Sequence, residues 1–203
     1  ERGGYRDAIA TLEEAARLHE AREPASADLA ATLRELFNSQ FYAGNLSTAE
    51  EIGKRVLAMT QKVSGERHAL VAEDLINLGA VQHERGQYAE AERYYREALA
   101  INESWYGKDH YKTASNLTML GRSLQMQKRY DEAADVLRRA VAIQERVFGP
   151  IHPRVASAVN DLGMIAQNRG DLDEAEAAFT RMAAIYRSVY GEKHYLIVIA
   201  TST

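Results

Sequence analysis

The sequence predicts an all-α protein made of repeated helical hairpins, and three observations carry this prediction. First, a glycine recurs every 42 residues, at Gly65, Gly107, Gly149 and Gly191, and a histidine follows each of them three positions later. Second, the apolar residues within each period recur at intervals of three and four, as they do on one face of a helix. Third, no segment alternates polar and apolar residues with a period of two, so no strand is predicted.

Each period has room for two helices. In the second full period, the first helix is predicted over about residues 70–85 and ends at Gly86, where a glycine suits a left-handed cap. The second helix is predicted over about residues 88–105. Small residues such as Gly79 and Ala91 allow the two helices to approach closely. Because one hairpin cannot bury its apolar faces alone, successive hairpins are expected to stack into a solenoid with one core.

The Gly-x-x-His motif and the small-residue positions resemble the tetratricopeptide repeat (TPR), in a longer form similar to the repeat of kinesin light chain. The segments 107–110 and 149–153, which read Gly-Lys-Asp-His and Gly-Pro-Ile-His-Pro, carry this resemblance. The usual tetratricopeptide unit has about 34 residues. The resemblance implies a right-handed superhelical solenoid of antiparallel helical hairpins. The HEAT and armadillo solenoids have a similar period, but the glycine and alanine framework disfavours them.

A single solenoid fragment is therefore expected over residues 1–203. It comprises a half-repeat at 1–22, full repeats at about 29–64, 70–106, 112–148 and 154–190, and the start of a further repeat at 196–203. The first full repeat departs most from the pattern, because Phe37 occupies the small-residue position and Gly53 an aromatic one. In the third full repeat, Lys128 replaces the hairpin glycine.

Composition narrows the function classes. The formal charge of −4 gives no basic surplus, so neither nucleic acid nor an anionic membrane is expected as a partner. The absence of cysteine excludes disulfides and thiolate sites and fits a reducing compartment, so a cytoplasmic location is expected. No signal peptide is expected, and no apolar run approaches the ~20 residues of a membrane span.

The histidines invite a metal or catalytic interpretation, which their spacing disfavours. Equivalent residues of neighbouring repeats lie on the order of 10 Å apart, whereas shared metal ligands lie within about 2 Å of the ion. Each of His68, His110, His152 and His194 is instead expected to cap or brace the start of the following helix. No catalytic triad, glycine elbow or phosphate loop is present, so we predict no catalytic residues, no metal, no cofactor and no enzyme activity.

In the tetratricopeptide family, the first helices of successive hairpins line a concave groove that holds extended peptides. Asn77 falls where peptide-binding members place an asparagine, and its amide can both donate to and accept from a peptide backbone. Arg122 could bind an acidic side chain or a terminal carboxylate. Carried over at the 42-residue interval, the peptide-binding positions are Arg34, Asn38, Glu73, Asn77, His83, Ser115, Thr118, Arg122, Gln125, Asn160, Met164 and Gln167.

The first functional hypothesis is a protein-interaction scaffold that binds a peptide or partner protein in this groove. The alternative is a regulatory or sensor segment of a larger signalling protein, with a kinase or nucleotide-dependent switch lying outside these residues. A third class, an enzyme within this chain, is the least favoured of the three. A separate alternative is that the groove positions have no binding role. The sequence identifies neither the ligand nor the parent protein.

Overall fold

The computed structural model describes the backbone of residues 2–191 and the side chains from residue 5 onward. Within this range all regular secondary structure is helical, and no strand occurs, as the sequence predicts. The predicted further repeat at 196–203 and His194 lie outside the described residues. The helices are α1 (Arg2–Arg22), α2 (Ala27–Tyr42), α3 (Leu46–Ser64), α4 (Ala69–Glu84), α5 (Tyr88–Tyr106), α6 (Tyr111–Met126), α7 (Tyr130–Phe148), α8 (Pro153–Arg169) and α9 (Leu172–Tyr190).

The chain forms two compact units, Glu1–Ile101 and Asn102–Thr203. The first unit contains α1 to α4 and most of α5, and the second contains the end of α5 and α6 to α9. Contacts join α1 to α2, α2 to α3 and α3 to α4 in the first unit, and α6 to α7, α7 to α8 and α8 to α9 in the second. The expectation of one solenoid over residues 1–203 stays a prediction.

Each unit has its own apolar core. In the first unit, Leu75 and Leu78 of α4 are buried with Tyr94 and Ala98 of α5. In the second unit, α8 and α9 enclose a cluster that includes Val155. A fully buried leucine or valine side chain, such as Leu75, Leu78 or Val155, contributes roughly 1.5–3 kcal/mol to folding. Within residues 2–191, none of the helices combines the length and the apolar character needed to cross a bilayer.

Histidine side chains cap the first helices of three hairpins. The Nδ1 atoms of His68, His110 and His152 each accept a hydrogen bond from the backbone N–H two residues later, at 3.2, 3.2 and 3.1 Å. Each cap satisfies one of the backbone donors that a helix start leaves without an intrahelical partner. The predicted capping role of these three histidines is confirmed.

The small residues of each hairpin mark the points where its helices touch. A Cβ atom added at Gly79 of α4 would lie 2.5 Å from the Tyr95 ring of α5. One added at Gly121 of α6 would lie 2.6 Å from Cγ of Leu137 in α7. Both distances are shorter than any normal carbon contact, so the helix spacing depends on glycine at these positions.

The first full hairpin keeps this contact with the two residue types exchanged. Its large residue, Phe37, lies on α2, and its small one, Gly53, lies on α3. A Cβ atom at Gly53 would lie 3.1 Å from Cε2 of Phe37 and 2.9 Å from Leu78 of α4. The Phe37 ring on α2 therefore fills the space beside the small residue. In the next hairpin, Tyr95 on the second helix fills the equivalent space. This exchange explains why the first repeat departs from the sequence pattern without losing the hairpin.

The hairpin turns require a left-handed residue after the first helix. Gly170 adopts φ 85° there, and Lys128 occupies the equivalent turn with φ 61°. A residue with a Cβ costs roughly 1–2 kcal/mol in this conformation. The turn nevertheless closes normally, because the Lys128 N–H donates to the Gln125 carbonyl at 2.8 Å.

Candidate partner-binding faces

Each unit carries two neighbouring first helices whose outer sides remain partly open. We call these surfaces the α2/α4 face, in the first unit, and the α6/α8 face, in the second. The α2/α4 face comprises Asp28, Glu35, Asn38, Glu73, Asn77 and Glu84. The α6/α8 face comprises Tyr111, Ser115, Met119, Arg122, Met126, Arg154, Ser157, Asn160 and Met164. The members on each helix recur mostly at three and four residues, the spacing of one helix side, and all are at least partly exposed.

Arg34, a predicted peptide-binding residue, is occupied by contacts within the first unit. Its Nε donates to Oδ1 of Asp74 at 2.7 Å, and its Nη2 donates to Oδ2 at 3.0 Å. The same Nη2 also reaches Oγ1 of Thr60 at 2.6 Å. Arg34 therefore joins α2, α3 and α4, and it neutralises a carboxylate that is only 2% exposed.

Asn38 and Asn77 are the amide side chains of the α2/α4 face. Both are half-buried, and among the described residues neither side-chain amide makes a hydrogen bond. Each amide offers two donors and one acceptor. The structure thus leaves these two predicted residues free to pair with a backbone or side chain from outside.

The other two predicted residues of α4 are half-buried as well. Glu73 lies on the α2/α4 face. His83 lies near the end of α4, where its ring packs edge-on against Tyr88 at a centroid distance of 5.2 Å. This contact ties His83 to the hairpin turn between α4 and α5.

On the α6/α8 face, Arg122 pairs with a buried carboxylate of the neighbouring helix. Its Nε donates to Oδ2 of Asp161 at 2.7 Å, and its Nη2 donates to Oγ of Ser157 at 3.1 Å. Burial raises the pKa of Asp161, while the positive charge and hydrogen bond of Arg122 lower it in opposition. Among the described residues Nη1 of Arg122 has no hydrogen-bond partner.

A second arginine crosses between the same two helices in the opposite direction. Nη1 of Arg154, at the start of α8, donates to Oγ of Ser115 in α6 at 3.2 Å. The guanidinium carbon lies 5.6 Å from the centre of the Phe148 ring, a cation–π distance. Arg154 is otherwise exposed, so its charge contributes to the surface field of this face.

Methionines supply the apolar part of the α6/α8 face. Met119, Met126 and Met164 are 37%, 49% and 42% exposed. The Nδ2 atom of Asn160 lies 3.6 Å from Sδ of Met164 and orients that side chain. Exposed methionines form adaptable surfaces, because the side chain is unbranched and polarisable.

Three more predicted residues differ in their access to solvent. Thr118 is buried: its hydroxyl donates to the Ala114 carbonyl at 3.1 Å and accepts from Nε2 of Gln144 at 3.4 Å. It therefore lies in the contact between α6 and α7 and is excluded from the open face. Gln125 is half-buried and Gln167 is exposed, both towards the ends of their helices.

The predicted site omitted five residues that the structure places on the α6/α8 face: Tyr111, Met119, Met126, Arg154 and Ser157. A signal was available for Tyr111, Met119 and Met126, because continuing the helical spacing from Ser115 in both directions leads to them. Ser157 stands 42 residues after Ser115, which was predicted. The signal for Arg154 is weaker. It stands 42 residues after Lys112, a position outside the groove tiers carried over from the family.

Charge distinguishes the two faces. Helices α2 and α4 contain five acidic residues and one arginine. Helices α6 and α8 contain four basic residues and one acidic residue, Asp161, which is buried against Arg122. Across residues 5–191, no group of three histidine, aspartate or glutamate residues is placed to hold a metal ion.

These features define a class of protein, the helical-hairpin repeat proteins. The tetratricopeptide repeat profile matches residues 28–104 and 75–146, and a second profile of the same description matches residues 155–195. The chain belongs to the tetratricopeptide repeat family. Repeats of this family generally serve as protein-interaction scaffolds. No curated protein matches the sequence.

Solved structures share the fold at low sequence identity. BtubC (BKLC) from P. vanneervenii is 20% identical with a TM-score of 0.82, over 97% of this chain and 80% of that one. A kinesin light chain-like protein from Podosopora anserina with nearly identical TPR-like repeats is 22% identical, with a TM-score of 0.78 over 94% and 90% of the two chains. MamA is 18% identical, with a TM-score of 0.66 over 94% and 93%.

Proposed function

We propose that this protein is a protein-interaction scaffold whose α6/α8 face binds a partner segment with acidic and apolar side chains. The observation that carries the proposal is the composition of this face. Arginine and methionine side chains share it, and the one carboxylate of its two helices is buried. A ligand carboxylate would therefore meet positive charge without a competing anion on the same helices.

The apolar part of the ligand is inferred from the exposed methionines. Met119, Met126 and Met164 would lose exposed apolar surface to a bound side chain, which contributes roughly 25 cal/mol per Å². Arg122 and Arg154 would give charge-assisted hydrogen bonds to a carboxylate. The two kinds of contact would favour a segment in which acidic and apolar residues alternate.

The test uses the full 203-residue chain and three labelled nonapeptides, followed by fluorescence anisotropy. One peptide alternates glutamate with leucine, the second replaces glutamate by glutamine, and the third replaces it by lysine. We expect the glutamate peptide to bind at least about tenfold more tightly than the lysine peptide, a difference of about 1.4 kcal/mol. Its affinity is expected to fall as salt rises, because exposed charges are screened.

Variants locate the binding surface. Met119→Ala combined with Met164→Ala is expected to weaken the glutamate peptide by about tenfold or more, as apolar contact area is lost. The matched control is Asn38→Ala combined with Asn77→Ala on the α2/α4 face, which is expected to leave that affinity unchanged. Equal binding of the three peptides, or an effect confined to the control variant, would contradict the proposal.

A further inference from the structure

We infer that Asp161 is a positioning residue of the α6/α8 face, which holds the Arg122 guanidinium in one orientation so that its free edge can bind a ligand carboxylate. This inference rests on the proposed function, because it concerns how the same face selects an acidic partner. It assigns a role in specificity to a buried side chain that would not itself touch the ligand.

The hydrogen bonds of Arg122 define which edge is free. A guanidinium has five donors on two usable edges. Nε donates to Asp161 and Nη2 to Ser157, so the edge shared by Nε and Nη2 is occupied within the protein. On the other edge, Nη1 has no hydrogen-bond partner among the described residues. That edge offers the two-pronged geometry that a carboxylate prefers.

The burial of the pair supports a fixed orientation. The Asp161 side chain is 7% exposed, while that of Arg122 is 36% exposed, so a rigid inner anchor holds an arginine that reaches the surface. A free arginine has about 2 kcal/mol of rotamer entropy to lose on binding. The Asp161 contact removes part of that freedom before any ligand arrives, which lowers the cost of binding.

Burying the ionised Asp161 side chain also costs free energy that an uncharged side chain at this position would not cost. Burial raises its pKa in spite of the adjacent arginine, so the ionised carboxylate is held in an unfavourable environment. The equivalent positions in earlier repeats hold Met119 in α6 and Asn77 in α4, which carry no charge. A carboxylate is therefore not required at this position of the repeat, and in α8 it is explained by its contact with Arg122.

The Arg34–Asp74 pair of the first unit provides the contrast. Arg34 donates to both carboxylate oxygens and to Thr60, and its side chain is 19% exposed. The hydrogen bonds of Arg34 are therefore made within the protein. Arg122 contacts one carboxylate oxygen and one hydroxyl, and it keeps more of its surface open.

The decisive variant is Asp161→Asn, because charge and positioning predict opposite results. Removing the carboxylate makes the face more positive, so a purely electrostatic surface would bind the glutamate–leucine peptide more tightly. If Asp161 positions Arg122, affinity falls instead, by up to about tenfold, because the neutral asparagine oxygen holds the guanidinium more weakly and part of the ordering cost returns. The glutamine–leucine peptide, which lacks a carboxylate, should keep its affinity in the same variant.

Three controls keep the outcome interpretable. Ser157→Ala removes the second hydrogen bond to Arg122 without changing the charge, and it should also weaken binding of the glutamate peptide. It replaces Asp161→Asn as the test if that variant does not fold. Asp74→Asn, which changes the carboxylate of the first unit's ion pair, should leave the affinity unchanged. Arg122→Lys should also weaken binding, because an ammonium lacks the planar edge.

The results separate this inference from the proposed function. If the wild-type protein does not distinguish the three peptides, the proposed function fails. If it does, and Asp161→Asn or its substitute Ser157→Ala leaves the affinity equal or higher, the positioning role is wrong. A loss of affinity shared equally by the glutamate and glutamine peptides would also overturn it, because that result indicates a general structural effect.

Discussion

The α2/α4 face and the α6/α8 face have equivalent helices and opposite chemistry. The hairpins behind them share the same close contacts, at Gly79 with Tyr95 and at Gly121 with Leu137. At the surface, the α2/α4 face is acidic and carries two amide side chains. The α6/α8 face is basic and carries exposed methionines. The comparison teaches that the repeat constrains the inner positions, while the outer positions of the first helices are free to diverge.

The arginine–aspartate pairs show how this divergence is built. In the first unit the pair is Arg34 with Asp74, and the next turn outward carries Asn38 and Asn77. In the second unit the positions of Asn38 and Asn77 are taken by Arg122 and Asp161. In the first unit the arginine of the pair is held inside the protein. In the second unit, where the pair lies one helical turn further along, the arginine is available at the surface.

The largest effect on stability is expected from breaking the Arg34–Asp74 ion pair. Arg34→Ala would leave Asp74 buried without a counter-charge, and we expect a loss of about 3–5 kcal/mol of unfolding free energy. Urea denaturation followed by circular dichroism measures it. Arg122→Ala should cost less, because solvent reaches its partner more easily. If the two losses are equal, the proposed distinction between inner and outer pairs is lost.

A control separates the missing charge from the missing volume. The double variant Arg34→Met with Asp74→Leu removes both charges and keeps apolar groups in place. It should recover most of the stability, since uncompensated burial is the main cost of the single change. Failure to recover would show that shape, and not charge, dominates at this junction.

A smaller effect is expected at the hairpin contacts, and it should be alike in both units. Gly79→Ala and Gly121→Ala each insert a methyl group where the nearest atom lies at 2.5 or 2.6 Å. We expect each to cost about 1–3 kcal/mol through overpacking. Thermal denaturation of the two variants side by side checks this expectation. A large effect in one unit and none in the other would contradict the idea of a common framework.

The smallest effect concerns pH and has opposite signs in the two units. Hydrogen bonding to Lys54 is the main cause that lowers the pKa of Glu50 below its ordinary 4.5, with help from Arg85, so its stabilisation is lost as pH falls below that value. Burial raises the pKa of Asp161 above its ordinary 3.8. Its folded form therefore takes up a proton more readily, and stability at this position improves as pH falls towards that value.

Paired denaturation curves between pH 7 and pH 3 test these signs. On acidification, wild type should lose stability relative to Glu50→Gln and gain it relative to Asp161→Asn. Each change is expected to be smaller than the losses at the hairpin contacts. A difference of the same sign for both variants would refute the assignment.

The sequence predicts most of the structural framework and only part of the chemistry of the faces. The histidine caps and the glycine contacts follow from residue type and interval alone. The inward placement of Thr118 and the occupied guanidinium of Arg34 do not, because a 42-residue interval gives the position of a residue along its helix but not the partner of its side chain. The omission of Arg154 has the same cause.

By itself, the sequence determined the helical hairpins, their period and the residues that must be small, because these depend on local spacing and backbone sterics. Only the tertiary structure decided that Phe37 and Gly53 exchange roles across one hairpin. It also decided which arginine lies inside and which reaches the surface. The physical reason is that such pairings join residues distant in the chain, and their burial and partners exist only after the helices have packed.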